Sequence, residues 1–212
     1  MRFLYMGVIV PLAVVLPLGM ALFFYPKLSR PEKIVAVYLL LGGIFNAAGR
    51  YLADRRMSNL WLQHIFTCLE ILLVCFYFRE ILTGRRARQW LPVLAVVFAA
   101  GAALNSVFVQ QLSVHNSYAR SAAALLIVAL CFYFFKTKLG SAFRWSREGS
   151  FWFVTGFLVY FSSSLFLFIM SNQTFGMMST RQAWTLWNIH ATMVLMMYLL
   201  FTAGFWYAAR TR

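Results

Sequence analysis

Residues 58–81 read SNLWLQHIFTCLEILLVCFYFREI. Apolar side chains run through the segment without a two-residue alternation. A bilayer's hydrocarbon is crossed by about 20 mostly apolar residues in a helix. Spanning backbone can pair its own polar groups only as a helix or in a closed barrel, and the length and pattern decide for a helix. Asn59, Gln63, Thr67 and Glu70 follow one another at steps of four, four and three, so they share one face. A lipid-immersed helix turns such a stripe towards other protein. The segment therefore predicts a bundle built around it.

Working outward, six more stretches have the same character. The spans fall at about 4–25, 34–53, 58–81, 89–109, 118–136, 151–172 and 183–208. They predict an all-α fold: one integral membrane domain of seven transmembrane helices over residues 1–212. Composition agrees. The chain is 62% hydrophobic and 11% charged, with mean hydropathy +0.74, whereas soluble domains carry about 25% charged residues. The apolar run after Arg2 is too long for a secretory signal and no small-x-small site follows, so it reads as the first permanent helix. Pro11 and Pro17 predict bends in it. Short loops make sequence neighbours antiparallel and adjacent. Gly42, Gly43 and Gly49 in the second span, Ala95 to Ala103 in the fourth and Ala122 to Ala124 in the fifth predict close helix packing.

The formal net charge is +14. Thirteen of the nineteen lysines and arginines lie in loops one, three and five and at the C-terminus, among them Lys27, Arg85, Arg86, Arg144 and Arg212; Arg2, Arg50, Arg55, Arg56, Arg120 and Arg181 lie on the other side. The positive-inside rule then places the N-terminus outside and the C-terminus in the cytoplasm, which predicts a multi-pass protein of the cell inner (cytoplasmic) membrane. Cations spread over several loops suit anionic lipid headgroups and a membrane or signalling partner protein. They do not form the stripe that nucleic acid requires. All seven tryptophans sit near span ends, where an indole bridges lipid and water. Cys68, Cys75 and Cys131 fall inside spans without metal-ligand spacing and read as packing residues.

Glu70 is the acid farthest from any span end, about 18 Å deep at 1.5 Å per residue. A carboxylate there needs a partner or a proton. Asn46 on helix two lies at similar depth. Arg50, one turn further out, either reaches inward to Glu70 or runs to the outer headgroups. His64 and His190 lie roughly 9 to 10 Å in from the outer ends of helices three and seven. His190 is two residues from Asn188, so those two point to nearly opposite faces. His115 belongs to the outer loop between helices four and five, and Tyr160 and Ser162 to Ser164 to the outer half of helix six. There is no G-x-S-x-G, no H-E-x-x-H and no Gly-rich phosphate loop, and helix seven has no lysine for a retinal Schiff base. The reading therefore leans away from an enzyme and predicts no cofactor.

Asn46, Arg50, Gln63, His64, Glu70, Asn188 and His190 are the candidate ligand-binding or proton-linked residues. They point to an outward-facing polar pocket, and so to a sensor or a small-molecule or lipid-binding module that acts through a partner protein. A transporter that uses Glu70 for proton coupling is the alternative. A haem or metal held by His64 and His190 is a further one, which matching depth permits without implying it. The patterns Asn59-x-x-x-Gln63-His64 with Glu70, and Trp187-Asn188-Ile189-His190, resemble those of a set of small uncharacterised bacterial seven-transmembrane-helix proteins. The resemblance extends along the chain. It implies a sensory or accessory role and supplies no established chemistry.

Overall fold

In the computed structural model, residues 4–139, 145–174 and 179–210 are described; Arg2, Arg144 and Arg212 of the charge count lie outside them. Seven helices are each long and apolar enough to cross a membrane, and the described residues form no sheet. They are α1 (Tyr5–Phe23), α2 (Arg30–Asp54), α3 (Leu60–Ile81), α4 (Arg85–Phe108), α5 (Ser117–Lys138), α6 (Gly149–Thr174) and α7 (Thr180–Arg210).

Both prolines interrupt α1. Pro11 has no N–H for the Gly7 carbonyl, and the turn before it widens into a π-helix over Tyr5–Ile9. Pro17 deprives Ala13 in the same way, and Ala13 and Val14 form a turn between Val10–Leu12 and Val15–Phe23. At the start of α2, the Ser29 backbone N–H and hydroxyl both donate to the Glu32 carboxylate, with Pro31 in the first turn. α2 ends in a left-handed cap: Arg56 has φ 57°, and the Met57 N–H reaches the Leu52 carbonyl at 2.9 Å. α4 begins at Arg85, four residues before its apolar pattern does; Arg85, Arg86, Ala87 and Arg88 are all good helix formers.

α1, α2, α3, α5, α6 and α7 pack in that order as a ring, closed by α7 against α1; α4 lies outside it, mainly against α3. One end of the ring is filled by rings of Tyr77, Phe78, Phe134, Phe153, Phe201 and Phe205, all at most 1% exposed. The tightest approach there is reciprocal. A Cβ on Gly156 of α6 would lie 2.6 Å from the Phe201 ring, and a Cβ on Gly204 of α7 would lie 2.6 Å from the Phe153 ring. The two phenylalanines meet edge to face with centroids 5.5 Å apart.

Ala95, Ala102, Ala123 and Ala124 are buried as the small residues of α4 and α5 suggest, but the glycines of α2 and Gly101 depart from that expectation. Gly42, Gly43 and Gly49 have no neighbour nearer than 3.8 Å to such a Cβ, and Gly101 has none within 4 Å. Gly42 and Gly49 instead border a cavity. Composition does not distinguish a glycine that admits a helix from one that leaves volume open.

The Tyr77 hydroxyl is buried without a hydrogen-bond partner. Removing an unpaired buried hydroxyl also removes its desolvation cost. Tyr77→Phe is therefore expected to leave stability unchanged or raise it by up to about 1 kcal/mol, as read by thermal melting. A loss of about 2 kcal/mol would mean that the hydroxyl is bonded after all.

Candidate functional site

Towards its other end the ring encloses a cavity of about 470 Å³, lined from all six ring helices and by no residue of α4. It runs from exposed Arg50 and Ala53, near the α2–α3 connection, to Glu70, which is 0% exposed. The α2 wall follows one helical face through Tyr38, Gly42, Asn46, Gly49 and Ala53.

An acidic and a basic residue, Glu70 and Arg120, line the cavity. The Tyr38 hydroxyl donates to Glu70 Oε1 at 3.1 Å. Glu70 Oε2 is buried and has no hydrogen-bond partner. Arg120, from the first turn of α5, donates to the Tyr160 hydroxyl at 3.4 Å and lies over the Phe168 ring, 4.6 Å from its centroid. Glu70 and Arg120 line the same cavity and sense each other electrostatically, without an ion pair between them.

His190 is held by a 2.9 Å hydrogen bond between Nδ1 and the Ser164 hydroxyl, among the rings of Tyr160, Phe168 and Trp187. Gln63, Arg120 and His190 also line a second cavity of about 170 Å³, whose other walls include His115, Asn116, Phe168 and Trp187. These three side chains thus border both spaces. Ser162 and Ser163 bond back to carbonyls of their own helix, as expected of serines there.

His115 reaches Gln63 across the loop, with Nδ1 3.4 Å from Oε1. Burial holds this imidazole below its ordinary value. The fold therefore favours neutral His115, and protonation favours release of the loop. Loop attachment should be complete at neutral pH and above, and be lost progressively as the pH falls below about 6.5. Amide exchange at Asn116 and Ser117, corrected for its intrinsic pH dependence, should rise through that window and stay flat in His115→Gln. Equal pH response in both proteins would assign the change to another group.

Of the residues singled out in the sequence, the cavity gathers Asn46, Arg50, Gln63, Glu70 and His190. Arg50 takes the outward course rather than meeting Glu70. Its Nε lies 3.1 Å from Asp54 Oδ1, and its Nη1 donates to the Gly7 carbonyl at 3.3 Å. That carbonyl is the one Pro11 leaves without a helical partner. His64 lines neither cavity: its ring sits between the Ser106 hydroxyl at 2.7 Å and the Val114 carbonyl at 3.1 Å. Asn188 also lines neither, and donates to Trp184 O of its own helix at 2.9 Å. The two histidines of the haem reading therefore share no cavity. Among the described residues no group of three or more His, Cys, Asp or Glu could hold a metal ion.

Sequence reasoning missed Tyr38, Arg120 and Tyr160 as wall residues. Tyr38 was detectable, because it continues the face of Asn46 at steps of four through Gly42. Arg120 lies inside the fifth span, so it is more than one of the outer-side topology charges. No family model matches the chain, and neither a curated protein nor a solved structure matches it.

Proposed function

We propose that the seven helices span a lipid bilayer with the N-terminus outside, and that the cavity is a pocket open to that side. In this reading the chain is a sensor or binding module for a small molecule or lipid in a bacterial inner membrane. It passes occupancy to a partner protein at its basic cytoplasmic loops. The resemblance to small bacterial seven-helix proteins supports the same role.

The observation that carries this reading is Glu70. A fully buried carboxylate oxygen without a donor is costly. Glu70 is among the residues that border the cavity, which suits a ligand that completes it. Binding is favoured over transport by what lies beyond Glu70. Among the described residues, that end of the ring is filled by the aromatic side chains of Tyr77, Phe153, Phe157 and Phe201.

Gly42→Phe tests the reading. Gly42 borders the cavity, and a Cβ there meets only the Phe66 ring, at 3.8 Å. The new ring can therefore occupy the cavity without crowding backbone. Wild-type protein purified in a neutral detergent should retain a small molecule or lipid detectable by native mass spectrometry. Gly42→Phe should lose it while keeping its helical circular dichroism. An empty wild type whose melting temperature no metabolite or lipid raises would sink the proposal.

A further inference from the structure

We infer that the pocket recognises a zwitterion: a protonated amine at Glu70, joined by a short linker to a carboxylate or phosphate at Arg120. The inference rests on the pocket reading above and names its ligand class. Ionised Glu70 only accepts hydrogen bonds, and its Oε2 is buried without a donor. Arg120 only donates: it has five N–H groups, and its hydrogen bond to Tyr160 is a long one at 3.4 Å. The two thus call for complementary groups on whatever lies between them.

Charge balance selects a ligand carrying both. A lone anion at Arg120 would feel repulsion from Glu70, and a lone cation at Glu70 would feel it from Arg120. A molecule with both charges, oriented one way, meets attraction at each end. Arg50 does not upset the balance, since Asp54 pairs with it at the exposed end. The walls suit an ammonium group as well. Tyr38, Phe66, Tyr160 and Tyr198 line the cavity, and aromatic faces attract a desolvated cation. A volume of about 470 Å³ falls within the range of roughly 300–1,000 Å³ typical of small-molecule sites.

This chemistry occurs in free solutes such as phosphoethanolamine and in the headgroup of phosphatidylethanolamine. One arm of the test uses soluble probes on protein in a neutral detergent: glycerophosphoethanolamine, glycerophosphoglycerol (phosphate alone) and ethanolamine (amine alone). The other compares phosphatidylglycerol nanodiscs with and without phosphatidylethanolamine. Wild type and Glu70→Gln are read by thermal shift and calorimetry. The glutamine is isosteric and its amide oxygen can still accept from Tyr38, so the variant should fold.

Glycerophosphoethanolamine should bind wild type about tenfold or more tighter than either half-probe, because each charge-assisted hydrogen bond is worth about 1.5–3 kcal/mol. Glu70→Gln should remove that preference and leave the affinity for phosphate. Binding in the soluble arm identifies a free solute. Stabilisation by phosphatidylethanolamine alone, lost in Glu70→Gln, identifies the lipid headgroup. Either result supports the zwitterion. Equal binding of the phosphate-only probe, indifference to Glu70→Gln, or no response in both arms overturns it. The pocket reading is judged separately, by whether Gly42→Phe displaces a retained molecule of any chemistry.

Discussion

Gly204→Ala is expected to destabilise the protein by about 2 kcal/mol, an effect opposite in sign to helix propensity. In a helix interior, alanine is favoured over glycine by about 1 kcal/mol. At position 204 the added methyl would lie 2.6, 2.8 and 2.9 Å from three carbons of the Phe153 ring. That ring cannot swing clear. It is 0% exposed and meets Tyr77, Phe201 and Phe205 edge to face. Overpacking of this kind costs about 1–3 kcal/mol and sometimes more, which outweighs the propensity gain. Gly204→Val should cost more still, and Gly156→Ala should behave alike because it meets Phe201 in the same way. Trimming the obstacle is the control. In Gly204→Ala with Phe153→Leu, the combined loss should fall below the sum of the single losses by 1 kcal/mol or more, the coupling expected of residues in contact, roughly 0.5–3 kcal/mol. Thermal melts in detergent measure each variant. A stabilised Gly204→Ala would show that α6 and α7 do not approach so closely.

That interlock also shows which parts of the architecture can be read from residues alone. Span number is a one-dimensional property: seven apolar runs of sufficient length predict seven helices whatever their arrangement. The bends of α1 are equally local, because a missing proline N–H acts four residues upstream. Phe153-x-x-Gly156 and Phe201-x-x-Gly204 are visible as a repeated spacing. Their meaning depends on α6 and α7 lying antiparallel in one register, which no single segment encodes.

The site divides along the same line. The stripe on α3 follows from periodicity, and Asn59, Gln63 and Glu70 do line the cavity. Thr67, on the same stripe, instead donates to the Gln63 carbonyl at 2.8 Å and accepts from Asn116 at 3.3 Å. His64 and His190 match in depth, but depth is one coordinate and rotation about the helix is another. Only His190 turns towards the cavity. The course of Arg50 was open because its competing acceptor, the Gly7 carbonyl, is released by a proline on a different helix. The segment around Arg120 does not fix where its charge goes. A cation in the first turn of a span has two possible surroundings, headgroups or interior, and the choice depends on whether α5 closes the ring.

Removing the Arg120 charge should be the costliest single change within the site. Arg120→Met keeps much of the side-chain volume but takes the positive charge away from a cavity that still holds Glu70. Breaking a buried pair from one side costs about 3–5 kcal/mol. Because Arg120 is only half-buried and does not touch Glu70, the expected loss is at or below the lower end, about 2–3 kcal/mol. Glu70→Gln should cost less, about 1–2 kcal/mol, because the amide oxygen can still accept from Tyr38. In the double variant neither charge is left alone. Its loss should fall short of the summed single losses by about 1–3 kcal/mol. The exposed pair Arg50–Asp54 provides the internal comparison: Arg50→Met should cost under about 1 kcal/mol. Salt separates the two cases further. Half-molar chloride screens charges in water within a few ångströms but hardly reaches a desolvated pair. The coupling between positions 70 and 120 should therefore persist where the small Arg50 contribution fades. Additive losses within about 0.5 kcal/mol would mean that Arg120 serves only to pack between Tyr160 and Phe168. Glu70 would then have to be accommodated without it, by a proton or by a ligand's cation alone.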